Sequence, residues 1–218
     1  MIHCFPLAAR DRARMFLLLL LAGGCTQLHA DEVSDCISGQ PEKRVAACAR
    51  IIETKTLFGG PIGREKLAMV YNNRGVGWHL LGQPGKALAD FVAAISLNPL
   101  YAEPYFNRGA VKAAGGLLPE AIADYTAAIR LDSRMVHAYH NRGNAYRQRG
   151  DFKNAIADYT AAIALDPKLA FAYHNRGIAH EMAGQREKAI ADYRKADELL
   201  PGKDIGSEGL KRLGAAPR

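Results

Sequence analysis

The sequence contains 218 residues, of which 49% are hydrophobic and 23% are charged, and its formal net charge is +7. This composition is ordinary for a globular protein, so it excludes a wholly disordered or a collagen-like chain. Basic and acidic residues are interleaved and no run of five like charges occurs, so the basic patch expected of a nucleic-acid-binding protein is missing.

Residues 1–30 have the features of a leader for export. A basic stretch precedes an apolar run from Met15 to Ala22, which is too short to span a bilayer, and small residues follow it. Two processing sites fit this pattern, one after Ala30 and one before Cys25, which would then carry a lipid. Either site predicts a bacterial protein that is periplasmic or associated with the cell envelope. A lipid anchor on Cys25 is the one membrane contact that the pattern allows.

The segment 31–67 predicts a degenerate capping hairpin and a linker, because Gly39 to Lys43 echoes the run that starts at Gly82. Cys36 and Cys48 lie in this segment and are the only cysteines after the leader. An isolated pair in an oxidising compartment predicts a disulfide, and two buried free thiols are the alternative. The segment offers too few other ligands for a metal site, and we predict neither a metal nor a cofactor.

Two short motifs recur with a spacing of 34 residues across residues 68–203. The first motif, Tyr-x-Asn-Arg-Gly, begins at Tyr71, Tyr105, Tyr139 and Tyr173. The second motif, Ala-x-Ala-Asp followed by an aromatic residue, begins at Ala87, Ala121, Ala155 and Ala189. Apolar residues recur at helical spacing in both halves of each unit, which predicts two amphipathic helices per unit. The predicted units are 68–101, 102–135, 136–169 and 170–203.

This period and these residue types resemble the tetratricopeptide repeat (TPR) family over residues 68–203. The resemblance implies an all-α fold, a right-handed superhelical solenoid of antiparallel helix hairpins. Residues 204–218 are then a C-terminal cap and tail that includes a short polar helix. A glycine within each first helix, such as Gly109, predicts a close helix contact faced by Ala121, with the ring of Tyr125 filling the wider space beyond.

An arginine of each first helix precedes an aspartate of the second helix by sixteen residues. A half-buried arginine needs a carboxylate partner, so the repetition favours internal ion pairs, and capture of a ligand phosphate or carboxylate is the alternative. The predicted pairs are Arg74 with Asp90, Arg108 with Asp124, Arg142 with Asp158, and Arg176 with Asp192.

The first helices of the implied solenoid line its concave face, where asparagine recurs once per unit. An amide side chain both donates and accepts hydrogen bonds, which suits the backbone of an extended peptide, although a purely structural role is the alternative. The predicted peptide-binding residues are Asn73, Asn107, Asn141 and Asn175, with Phe106, His140 and His174 beside them.

No phosphate-binding glycine loop, HExxH motif or Gly-x-Ser-x-Gly motif occurs in the sequence. We therefore predict that the protein is not an enzyme but a protein–protein interaction scaffold. Its expected partner is a peptide or protein segment bound on the concave face in the cell envelope. A self-associating structural protein and an accessory subunit of an envelope enzyme complex are the alternatives.

Overall fold

The structure, a computed structural model, describes residues 30–216 as a row of antiparallel helix pairs, and nearly all of the predicted leader, including Cys25, lies outside those residues. Helix α1 covers residues 30–38 and pairs with α2 (Pro41–Thr54), after which β1 (Thr56–Leu57) and β2 (Gly60–Pro61) form an antiparallel ribbon. The repeat helices follow as α3 (Arg64–Leu80), α4 (Pro84–Leu97), α5 (Ala102–Ala114), α6 (Leu118–Leu131), α7 (Val136–Gln148), α8 (Phe152–Leu165), α9 (Ala170–Met182) and α10 (Arg186–Leu199). Helix α11 (Ser207–Arg212) closes the row. Each helix packs on its neighbours in sequence, which gives the predicted all-α solenoid of hairpins.

A glycine in the left-handed conformation ends the first helix of every repeat. The φ angles are +68° at Gly82, +77° at Gly116, +76° at Gly150 and +72° at Gly184. In the third repeat the Gly150 N–H donates to the Arg147 carbonyl and the Asp151 N–H donates to the Tyr146 carbonyl. These two bonds satisfy the last carbonyls of α7 and reverse the chain. Asp151 then caps α8, because its side chain accepts a hydrogen bond from the Asn154 N–H.

The aromatic ring of each second helix lies directly on the glycine of the first helix. A Cβ atom added to Gly143 would stand 2.8 Å from Cε1 of Tyr159, and one added to Gly109 would stand 3.0 Å from the Tyr125 ring. Ala121 does face Gly109, since its carbonyl oxygen lies 3.3 Å from the same added Cβ, but the Tyr125 ring contacts the glycine directly and does not lie beyond it. Glycine leaves a flat patch of helix backbone that a planar ring covers, while the alanine is buried beside that contact.

Gly143→Ala is expected to destabilise the protein by about 1–3 kcal/mol, since the added methyl group overpacks against Tyr159. Urea unfolding followed by circular dichroism measures the change. Gly85→Ala in α4 is the matched control, because a Cβ there meets no atom within 4 Å. That variant is expected to gain about 0.5–1 kcal/mol from the lower entropy of its unfolded chain. Equal effects at the two sites would contradict the packing explanation.

A disulfide between Cys36 and Cys48 joins α1 to α2. Both cysteines are buried with Ile51 and with Val70 of α3, so the N-terminal cap shares a core with the first repeat. Helix α3 begins at Arg64, within the stretch 31–67 that we assigned to the cap and linker. Most of the rest of that linker is the ribbon, and Leu57 of the ribbon and Ile62 just after it pack against the core of the cap.

The C-terminal cap covers the last aromatic ring of the solenoid. Leu210 is fully buried and Gly209 lies against the Tyr193 ring, so the helix predicted to be polar has an apolar inner face. Arg212 donates hydrogen bonds of 3.0 and 2.9 Å to the two carboxylate oxygens of Glu181, which fixes the cap to α9. Within residues 30–216 no helix combines the length and apolar character needed to cross a membrane.

Candidate functional site

One face of the first helices α3, α5, α7 and α9 runs along the whole row of repeats, and we call this surface the groove. It repeats the same four positions in each unit, one helical turn apart. The groove residues are Met69, Asn73, Val76 and Leu80 in α3; Glu103, Asn107, Ala110 and Ala114 in α5; His137, Asn141, Asn144 and Gln148 in α7; and Phe171, Asn175, Ile178 and Met182 in α9.

The two ends of the groove are apolar and exposed. Met69 and Leu80 of the first repeat are 49% and 60% exposed, and Phe171 and Met182 of the fourth are 50% and 62% exposed. The middle two repeats carry small or polar residues at the same positions. Exposed apolar side chains that share one surface mark an interaction site more strongly than scattered ones do.

Two of the four predicted stripe asparagines bond to the preceding repeat. Asn107 Nδ2 donates to Asn72 Oδ1 at 2.9 Å, and Asn175 Nδ2 donates to Asn144 Oδ1 at 3.1 Å. Asn141 Oδ1 lies 3.3 Å from Nδ1 of His140 in its own helix. Within residues 30–216, the side chain of Asn73 makes no hydrogen bond. The amide donors of Asn107 and Asn175 therefore join adjacent repeats.

Phe106, His140 and His174 form the floor of the groove. Their ring centroids lie 5.9, 5.8 and 5.8 Å from those of Tyr125, Tyr159 and Tyr193, the large rings of the second helices. All three are half-buried, so each is partly exposed while the rest packs on the hairpin.

Burial lowers the pKa of His140 and of His174 below the ordinary value. The nearby charges mostly act in the same direction, namely His137 and Arg147 at His140 and Arg147 and Arg212 at His174, while Asp197 opposes them at His174. Both histidines are therefore neutral at neutral pH, and the groove floor is uncharged at these positions.

The free energy of unfolding is expected to fall as the pH drops below about 6.5, because the unfolded chain then takes up protons that the buried histidines resist. His140→Phe, which copies Phe106 at the same position, should flatten this dependence. Urea unfolding at several pH values between about 7 and 5 measures it. His79→Phe, at an exposed histidine of α3, is the control, and an unchanged pH dependence in His140→Phe would contradict the assignment.

The repeated arginines and aspartates meet inside the solenoid. The shortest distances are 2.7 Å for Arg74 with Asp90, 2.6 Å for Arg108 with Asp124, 2.7 Å for Arg142 with Asp158, and 2.7 Å for Arg176 with Asp192. Each guanidinium donates from Nε and Nη2 to both carboxylate oxygens, a bidentate geometry. The hydrogen bond to aspartate raises the pKa of Arg74, Arg142 and Arg176. The donors are directed inward, which leaves little of each guanidinium for a ligand.

A pocket of about 250 Å³, which we call the socket, opens in the groove between the second and third repeats. It is a feature that the sequence interpretation missed, although alanine at three neighbouring positions of α5 was a visible signal. The lining residues are Ala110, Ala113, Ala114, Leu118, Tyr125, Asn141, Asn144, Ala145 and Gln148. In the described part of the chain, no group of three or more histidines, cysteines or carboxylates could hold a metal ion.

A row of antiparallel helix hairpins with a continuous groove defines an α-solenoid repeat protein. Models of the tetratricopeptide repeat match residues 81–135 and 172–201, and a TPR repeat model matches residues 143–184, together over half of the chain. The chain belongs to the tetratricopeptide repeat family. No curated protein sequence matches it.

Three solved structures illustrate the shared fold. The crystal structure of MamA has a TM-score of 0.66 and 22% identity, covering 77% of this chain and 93% of that chain. YrrB, described as a TPR protein with an unusual peptide-binding site, has a TM-score of 0.64 and 19% identity, covering 78% and 84%. The first TPR of Spaghetti (RPAP3), bound to an HSP90 peptide, has a TM-score of 0.51 and 28% identity, covering 52% and 90%.

Proposed function

We propose that this protein is an interaction scaffold that binds a peptide or protein segment along the groove, on the concave face of the solenoid. The observation that carries the proposal is the arrangement of the groove residues. Apolar side chains about half exposed stand at both ends, and amides and a pocket lie between them. A monomeric protein gains nothing from exposing such a surface, whereas a bound segment would cover it.

The similar structures support the same proposal. A peptide is bound to the TPR of Spaghetti, and YrrB has a peptide-binding site according to its description. The scaffold role requires no catalytic group. The groove residues instead offer apolar contact area together with hydrogen-bonding amides, which are the two components of peptide recognition in extended form.

Photo-cross-linking tests which surface of the protein contacts the partner. A photoreactive benzoylphenylalanine at position 171, in the groove, is expected to cross-link a partner protein in cells that express the chain. The same amino acid at position 92 is the control, because Val92 is also exposed but lies on the second helix α4. Cross-links from position 92 alone would contradict the proposal. Adducts between two copies of the chain would instead support the self-associating alternative.

We also propose that the chain functions outside the cytoplasm, as a periplasmic or envelope-associated protein. The disulfide between Cys36 and Cys48 supports this, because such bonds persist in oxidising compartments. Intact mass of the protein purified from its host, before and after reduction, tests both points. The expected protein begins at Asp31 or at a lipid-modified Cys25 and gains two hydrogens on reduction. A chain that retains Met1 and two free thiols would overturn the proposal.

A further inference from the structure

The socket exists because the second repeat departs from the other three at the groove. Helix α5 carries alanine at each of three neighbouring positions where the other first helices carry larger residues. The three series, in repeat order, are Val76, Ala110, Asn144 and Ile178; His79, Ala113, Arg147 and Glu181; and Leu80, Ala114, Gln148 and Met182. The fold tolerates the larger residues in three repeats, so it does not require alanine in the second.

The size of the socket limits what it can hold. Its volume of about 250 Å³ is below the roughly 300–1,000 Å³ typical of sites for small molecules and cofactors. Its lining includes Leu118 and the ring of Tyr125, which is almost completely buried. This space accommodates one amino-acid side chain.

The lining favours an apolar side chain, because four alanines and Leu118 present only hydrocarbon to it. None of the nine lining residues carries a charge, so a charged group buried there would lose its hydration without gaining a partner. Asn144 and Gln148 stand on the α7 side of the socket, opposite the alanines. Gln148 is exposed and makes no side-chain hydrogen bond within the described residues, so its amide can bond the backbone of an extended segment.

We propose that the socket is the specificity site of the groove, and that it takes one leucine-sized apolar side chain from an extended segment of the partner protein. This proposal rests on the proposed function, since it assigns the partner's chemistry at the same surface. The segment's backbone lies across α7. A single side chain of the segment enters the socket and contacts the alanines of α5.

A bump-and-hole experiment tests the socket. Phage-displayed random dodecapeptides are selected on the full chain, and selected sequences are expected to share one leucine, isoleucine or methionine. One such peptide is then made with that residue changed to alanine. In the wild-type protein this change is expected to weaken binding by about 10- to 200-fold, as measured by fluorescence anisotropy.

The protein variant Ala110→Val with Ala114→Leu fills the socket with the residues that α3 carries at the same positions. It is expected to bind the alanine peptide more tightly than the leucine peptide, a reversal that misfolding cannot produce. Ala89→Leu, at an exposed alanine of α4, is the matched control and should keep the wild-type preference.

The possible failures are distinguishable. Suppose that the wild-type protein selects peptides whose binding is weakened by Phe171→Ser, but the filled variant still prefers the leucine peptide. In that case the socket proposal fails, while the proposal that the groove binds peptides stands. If wild type selects no peptide, or selects peptides insensitive to every groove substitution, the proposed function fails and the socket proposal fails with it. Selected peptides with an aspartate or lysine at the discriminating position would also overturn the socket chemistry.

Discussion

Asp158→Ala is expected to lower the free energy of unfolding by about 3–5 kcal/mol, which corresponds to a loss of melting temperature on the order of 10 °C. Asp158 is only 5% exposed and accepts both hydrogen bonds of the Arg142 guanidinium. Removing the carboxylate leaves a half-buried positive charge without its partner, and its desolvation is then no longer offset. Urea unfolding followed by circular dichroism measures the loss.

Two comparisons isolate the ion pair. Asp151→Ala removes another aspartate of the same repeat but only weakens the cap of α8, at a cost of about 1 kcal/mol. The double variant Arg142→Leu with Asp158→Leu removes both charges and should recover most of the loss, since apolar pairs replace buried ion pairs at little cost. A single variant that costs under about 1 kcal/mol would show that water already screens the pair.

Tyr159→Ala is expected to cost about 3–5 kcal/mol, because the ring is fully buried between α7 and α8. The ring contacts both Gly143 and His140 of α7. Its removal leaves a cavity that the backbone at Gly143 cannot fill. Urea unfolding measures this loss too, and a loss of protection of α7 and α8 in hydrogen exchange would locate it.

Tyr159→Phe separates the ring from its hydroxyl. Burial raises the pKa of Tyr159 to about 12, so the phenol stays protonated and donates to Asn144 Oδ1 at 2.7 Å. The phenylalanine variant loses only this bond, at about 1 kcal/mol, and Phe91 occupies the same position in the first repeat. Equal losses in the two variants would mean that the hydroxyl, and not the ring, stabilises the hairpin.

Most of the structural features predicted from the sequence follow from the 34-residue register of the repeat. Contacts within one hairpin depend on helical spacing and a short turn, so Gly150 could be assigned to the turn and Asp158 paired with Arg142 from their positions alone. The resemblance to a known family then supplied the order in which hairpins stack.

Contacts between hairpins were harder to predict. The bond from Asn175 to Asn144 joins residues in successive repeats and depends on the packing angle between α7 and α9. The socket exists because α5 carries small side chains at its edge. Its volume can therefore be known only from the positions of the three helices that line it. Leu210 was missed for a related reason, because a six-residue helix has too few apolar positions to reveal its buried face.

The arginines also connect hairpins, and they do so unevenly. Arg142 Nη1 donates to Thr126 Oγ1 of the preceding repeat and Arg176 Nη1 donates to Thr160 Oγ1 in the same way. The equivalent neighbour of Arg108 is Val92, which has no acceptor. In a linear array, whose cooperativity passes through nearest-neighbour interfaces, the junction between the third and fourth repeats, which also carries the bond from Asn175 to Asn144, is then the strongest link. Repeats three and four are therefore expected to stay together longest under mechanical load.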